Sequence, residues 1–168
     1  MSNNKLILKN NTLYSVNDSS SVDLGELFFD ISQFKIPTSM VVQKEGVNAK
    51  LEKEKNLNGE LVETGKISMI FKVYDLNFIK LVIQNGSTEV GSPITVIVEG
   101  QDNIPNLDVY EDGEFIPISF ENIKVKLKKV QKKIFIGQGK PMVDAWVYDE
   151  LKVQADSYTF GIENETKK

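Results

Sequence analysis

The sequence predicts a mainly β, single-domain protein built as an OB-like barrel or a small β-sandwich, and three observations carry that prediction. Alanine stands only at Ala49, Ala145 and Ala155, so the residue that most favours helix is nearly missing. β-Branched and aromatic residues gather in short runs, the composition that suits a pleated, half-buried surface. Turn-forming groups separate those runs: Asn58-Gly59, Asn85-Gly86, Asp112-Gly113 and Gly137-Gln138-Gly139 each offer the positive-φ residues that hairpins require. With 168 residues, 40% of them hydrophobic, the chain is sized for one domain, 1–168, with a real core.

In chain order, the strands expected are 6–8, 26–31, 40–43, 67–74, 78–84, 94–99, 114–120, 123–130, 134–136, 143–148 and 151–155. Their spacing is that of a small barrel or sandwich. Pro93, Pro105 and Pro141 fall outside the expected strands, whereas Pro117 falls inside 114–120 and lacks an N–H for the ladder, which places that strand at a sheet edge. Residues 9–22 read as a polar loop or arm, and 163–168 as a disordered tail. Residues 47–66 read as a charged excursion from the core. Its first part is either a short helix, with Val47, Leu51 and Leu57 loosely on one face, or one side of a hairpin closed at Asn58-Gly59.

Composition excludes most familiar chemistry. The chain has no histidine, no cysteine and no arginine; all 20 basic residues are lysine, against 24 Asp and Glu. Without imidazole or thiol there is no His-based acid–base pair near neutral pH, no Ser/His or Cys/His nucleophile and no conventional zinc site. Disulfides are excluded as well. The expectation is a non-enzymatic protein with no cofactor and no metal, acting by binding. Paired carboxylates are the one hydrolytic arrangement this composition leaves open, and they must be held across a cleft that spacing alone does not define. No apolar run approaches a membrane span, and Met1-Ser2-Asn3-Asn4 is not a secretory opening, so the expected location is the cytoplasm with no membrane partner.

The charge is polarised along the chain. In Ile123-Lys124-Val125-Lys126-Leu127-Lys128, strict alternation sets three apolar residues on one strand face and three lysines on the other. Lys129, Lys132 and Lys133 follow, giving six lysines between positions 124 and 133. Phe135, Trp146 and Tyr148, with Tyr158 further on, are the aromatic candidates nearest to them. Lysines that neutralise phosphates beside rings that stack on bases are the minimum for sequence-tolerant binding of single-stranded nucleic acid. The ordinary alternative is a solvated lysine face and a core Trp146, because a lone tryptophan in an alternating strand is usually buried. Lack of arginine argues against base-specific recognition, since no guanidinium fork is available.

The opposite pole is acidic: Glu99, Asp102, Asp108, Glu111, Asp112 and Glu114 occur with no lysine among them. That segment is the alternative partner-binding surface, either imitating phosphates or docking on the basic pole of another copy. It lacks the ligand order of an EF-hand loop. Likewise Gly137-Gln138-Gly139-Lys140-Pro141 lacks the spacing and the hydroxyl of a phosphate loop and reads as a hairpin turn.

Three short motifs, Leu24-Gly25-Glu26-Leu27-Phe28-Phe29, Gly65 and Tyr74-Asp75-Leu76, give the stretch 24–120 a layout that resembles a family of small accessory proteins encoded on conjugative transposons and plasmids of Gram-positive bacteria. Leu24 stands where that family has an aromatic residue, and Asn77-Phe78-Ile79-Lys80 replaces its polar Ser/Gln pattern. The resemblance implies association with single-stranded DNA during transfer; the basic strand lies outside it. Asn164-Glu165-Thr166-Lys167-Lys168 lacks the acidic, Phe-terminated tip of bacterial single-strand-binding proteins, which argues against a replicative role. The function expected is a non-catalytic accessory protein of a mobile element that binds single-stranded nucleic acid. The alternative is a protein-interaction or structural module, such as a phage virion component or phosphate-mimicking inhibitor, acting through oligomerisation or the acidic segment.

Overall fold

The structure, a computed structural model, describes residues 12–14 and 21–161, with 12–14 and 21–23 described through their backbone alone. The strand expected at 6–8, most of the arm 9–22 and the tail 163–168 lie outside the described residues. The protein is mainly β. Among the described residues the strands run in the order β1 (Thr12–Tyr14), β2 (Ser21–Asp23), β3 (Phe28–Phe29), β4 (Met40–Lys55), β5 (Leu61–Asp75), β6 (Ile94–Gln101), β7 (Ile116–Glu121), β8 (Lys124–Ile134), β9 (Val143–Ala155) and β10 (Ser157–Phe160), with the α-helix α1 (Leu76–Gln84) after β5. β1 and β2 pair with one another; the other eight follow the hydrogen-bonded order β10-β7-β4-β5-β6-β9-β8-β3. That order ends at β10 and β3 without joining them, so the closure of an OB-like barrel is absent from the pairing of the described strands.

Contacts divide the chain into two compact units: one takes Ile31–Lys124 with the described residues from Val153 onward, the other the described residues up to Asp30 with Val125–Lys152.

The larger unit is organised by the β4–β5 hairpin. Its tip resolves the choice left open for 47–66 in favour of the hairpin: Gly59 takes the left-handed conformation (φ 79°), Asn56 N donates to Glu60 O at 2.9 Å, and Asn56 Oδ1 accepts from the amides of Asn58 and Glu60. Charged residues lie along strands rather than around a helix because β4 and β5 pair, with two register shifts, as far as Lys55↔Leu61. Between Val42 and Val47 the register shifts, and the extra residues Gln43, Lys44 and Glu45 are turned towards the 110–114 turn. Gly46 permits that bulge, since a Cβ there would come within 3.0 Å of Lys72 Cβ.

The core of this unit is drawn from alternate positions of its central strands: Val42, Met69, Phe71, Val73, Val96, Val98, Ile116, Ile118 and Ala155 are all buried. Phe71 is its hub, with ring centroids of Tyr158, Phe120 and Phe160 at 4.7, 5.4 and 6.1 Å. Burying a side chain of this size contributes about 1.5–3 kcal/mol before the ring contacts are added. At the far side of the sheet the end of β9 runs parallel to β6, with Val96↔Val153 and Val98↔Ala155 in register.

Two expectations are corrected here. Residues 78–84 form helix α1, not a strand. Asp75 caps it, its Oδ1 accepting from the amides of Asn77 (2.9 Å) and Phe78 (3.3 Å). Asn85-Gly86 ends it in a Schellman pattern, with Gly86 N donating to Ile83 O and Ser87 N to Val82 O, both at 3.0 Å. The strand around Pro117 is internal rather than at an edge, since β7 pairs with both β4 and β10. Pro117 is accommodated because its carbonyl, and hence its imide nitrogen, faces the β10 side just beyond the last paired residue, where Gly161 N donates to Pro117 O at 2.9 Å.

The smaller unit contains the β1–β2 pair, with Leu13↔Val22 in register, and short β3 paired with β8 through Phe28↔Lys126 and Phe29↔Val125. The strand expected at 26–31 is thus reduced to two residues, flanked by single 3₁₀ turns at Leu24–Glu26 and Ile31–Gln33, the second belonging to the larger unit. Leu24 and Val125 are its buried apolar residues among those described. The separate strands expected at 143–148 and 151–155 are one continuous β9, and β8 and β9 are joined by the glycine-rich turn, in which Lys140 N donates to Gly137 O and Gly139 has φ 76°.

Candidate nucleic-acid interface

β8 follows the alternation the sequence predicts at its start. Val125 is buried, Leu127 is half-buried, and Lys128, Lys129, Lys132 and Lys133 are exposed. Within Val125–Lys152 there are seven lysines and three acids, so the smaller unit is the basic one. Lys126, Lys128, Lys129, Lys132, Lys133, Phe135, Trp146 and Tyr148 all belong to it, whereas Lys124 belongs to the larger unit. There Lys124 Nζ lies 3.5 Å from Asp156 Oδ1, and Asn122 Nδ2 donates to the other oxygen of Asp156 at 2.9 Å. The Asn122 hydrogen bond, with Lys124 behind it, holds the Asp156 carboxyl below its ordinary range.

The lysines of the smaller unit fall into two kinds. Lys128 Nζ donates to Glu150 Oε2 at 3.0 Å, and Lys132 Nζ is paired with Asp149 Oδ2. The hydrogen bond that Lys132 donates to Asp149 raises the lysine's pKa, against some opposing desolvation. Lys126 and Lys129 instead lie over rings: Lys126 Nζ is 4.6 Å from the Phe28 centroid and Lys129 Nζ 5.7 Å from that of Tyr148. Both ion pairs are solvent-exposed, so they are screened and exchange readily.

The aromatic residues separate as well. Trp146 is not the core residue that its isolation in an alternating strand predicts; it is 62% exposed, as is Phe135. Tyr148 is half-buried under Lys129. Tyr158 is removed from the candidate set, because it packs on Phe71 in the larger unit and burial pushes its phenol pKa up. Sequence reasoning missed Phe28, whose ring is half exposed and receives Lys126. Two adjacent aromatics ahead of a turn were the available signal, and only strand pairing links them to a lysine almost a hundred positions later.

The acidic segment lies in the larger unit and is extensively tied to its own chain. Lys66 reaches Asp102 and Lys44 reaches Asp112, each at 2.5 Å, while Glu114 Oε2 accepts from the amide of Glu111 at 2.9 Å. Glu99 accepts from Gln154 Nε2 at 3.1 Å. Asp112 is the largest cause of a raised Lys44 pKa, with Glu45 and Asp108 contributing. Asp112 thus fastens the 110–114 turn to the β4 bulge, while Asp102 ties its own turn to β5. Among the described residues no group of three or more acids is placed to hold a metal ion. Nor is any described helix long and apolar enough to cross a membrane.

No protein-family model, no curated protein and no solved structure matches this chain.

Proposed function

We propose that the protein binds single-stranded nucleic acid without catalysis, through the lysines of β8 and the aromatics of the β8–β9 region, as an accessory protein of a mobile genetic element. The observation that carries the reading is the exposure of Trp146 and Phe135, each 62%, in the same compact unit as the exposed lysines. Exposed rings of this size offer faces on which bases can stack, and each base so stacked is worth about 1–3 kcal/mol. Lysines without guanidinium forks contact phosphates as point charges, so the binding is sequence-tolerant and salt-sensitive. The reading requires no closed barrel. The mobile-element setting rests on the resemblance of 24–120 alone.

Exposed aliphatic residues in the same unit, Ile136, Met142 and Leu151, favour a second reading as a protein-interaction module. The acidic segment supports the phosphate-mimic version less, since Glu99, Asp102, Asp112 and Glu114 are engaged within the chain. Changing Lys129 and Lys133 to glutamine separates the two readings without leaving either Asp149 or Glu150 unpaired. On the nucleic-acid reading, binding of a labelled oligothymidylate weakens and the slope of log K against log salt falls by roughly 0.7 for each lysine removed. Unchanged affinity and slope would leave the protein-interaction reading.

A further inference from the structure

Two carboxylates stand where the proposed ligand's phosphates belong. Glu150 occupies Lys128 at 3.0 Å, and Asp149 occupies Lys132. All four side chains are about half exposed, between 37% and 49%, so neither pair is locked in place by burial. Each acid is supplied by β9, the strand that also carries Trp146 and Tyr148. Resting on the nucleic-acid reading above, we infer that Asp149 and Glu150 are built-in competitors that reserve the lysine surface for polyanions and turn away single phosphates.

Effective concentration sets the outcome of this competition. A carboxylate tethered beside a lysine competes at a local concentration on the order of millimolar or above, which one dissolved anion at lower concentration does not match. A nucleic-acid backbone brings successive phosphates on one chain, so the first contact makes the next intramolecular, and together they displace both acids. Lys126, Lys129 and Lys133, which have no carboxylate in either pair, supply the first contacts. Displacement also has an ionic signature. A freed carboxylate takes up cations that the phosphate has released, so wild-type protein gives a shallower salt slope than its lysine number implies.

The test compares wild type, Asp149→Asn/Glu150→Gln and a charge-matched control, Glu89→Gln/Glu111→Gln, in the other unit. Each is titrated into labelled oligothymidylate of twenty nucleotides across a salt series. The first variant is expected to bind roughly three- to tenfold more tightly. Its salt slope should steepen by up to about 1.4, while the control stays close to wild type. Inorganic phosphate, at equal total phosphate, is expected to compete against the oligonucleotide on the variant more effectively than on wild type. Wild-type binding with no tightening in the variant, or equal tightening in variant and control, overturns the inference and leaves the nucleic-acid reading standing. No binding by any of the three proteins removes both.

Discussion

Lys128 and Glu150 meet at 3.0 Å between β8 and β9, so a strand that reads as a run of uncompensated positive charge carries an internal counter-ion. With Lys132 and Asp149 paired beside it, the basic surface is pre-neutralised at two positions and open at Lys126, Lys129 and Lys133. If the proposed binding holds, its response to salt and to charge removal is more informative than its affinity alone.

Phe71 is the hub of the larger unit's aromatic core. Replacing it with alanine removes a fully buried ring and its contacts with Phe120, Tyr158 and Phe160, and the expected loss is about 3–5 kcal/mol. Urea denaturation followed by circular dichroism measures it. A loss below 1 kcal/mol would mean that this aromatic cluster is not the core.

Asp75→Ala removes the acceptor for the first amides of α1 and should destabilise the protein by about 1 kcal/mol. Asp75→Ser should recover most of that. Equal losses for the two variants would show that the carboxylate acts through something other than capping.

Tyr158 gives stability an alkaline limb. Burial raises its phenol pKa in the folded chain, so between the ordinary value of 10.0 and the folded value the unfolded chain ionises first. Stability is therefore complete below pH 10 and declines as pH rises through that window. The raised Lys44 and Lys132 act in the same direction, because their ion pairs are lost when the ammonium deprotonates. At the other end, Asp156 contributes stability that is present above its ordinary 3.8 and lost as pH falls below it. Denaturation midpoints from pH 8 to 11 should fall less for Tyr158→Phe than for wild type; identical curves would contradict the burial account.

Trp146→Ala should leave stability within about 0.5 kcal/mol of wild type, as expected for an exposed side chain. Its binding to oligothymidylate should weaken by about 1–3 kcal/mol if one base stacks on the ring. Loss of stability with unchanged binding would return Trp146 to a packing role.

Much of the fold is legible in local chemistry. Asn58-Gly59 marks the tip of the β4–β5 hairpin because its glycine needs φ 79°, and the alternation around Val125 names the buried face of β8. Helix α1 is not legible in the same way: Phe78, Ile79, Val82 and Ile83 carry strand propensity, and the capping by Asp75 with the Schellman end at Gly86 outweighs it. Pro117 misleads because its edge-like demand is met inside the sheet by the early end of β10. The lysine surface is visible in sequence, whereas its neutralisation by Asp149 and Glu150 and the ring of Phe28 beneath Lys126 are products of strand pairing across long separations.

The most direct measurement is the intrinsic fluorescence of Trp146, the single tryptophan, during titration with unlabelled oligothymidylate at low and at high salt. The account predicts saturable quenching at low salt that is reversed as salt is raised. An unchanged spectrum at low salt, at concentrations where lysine-rich surfaces bind single strands, would contradict it.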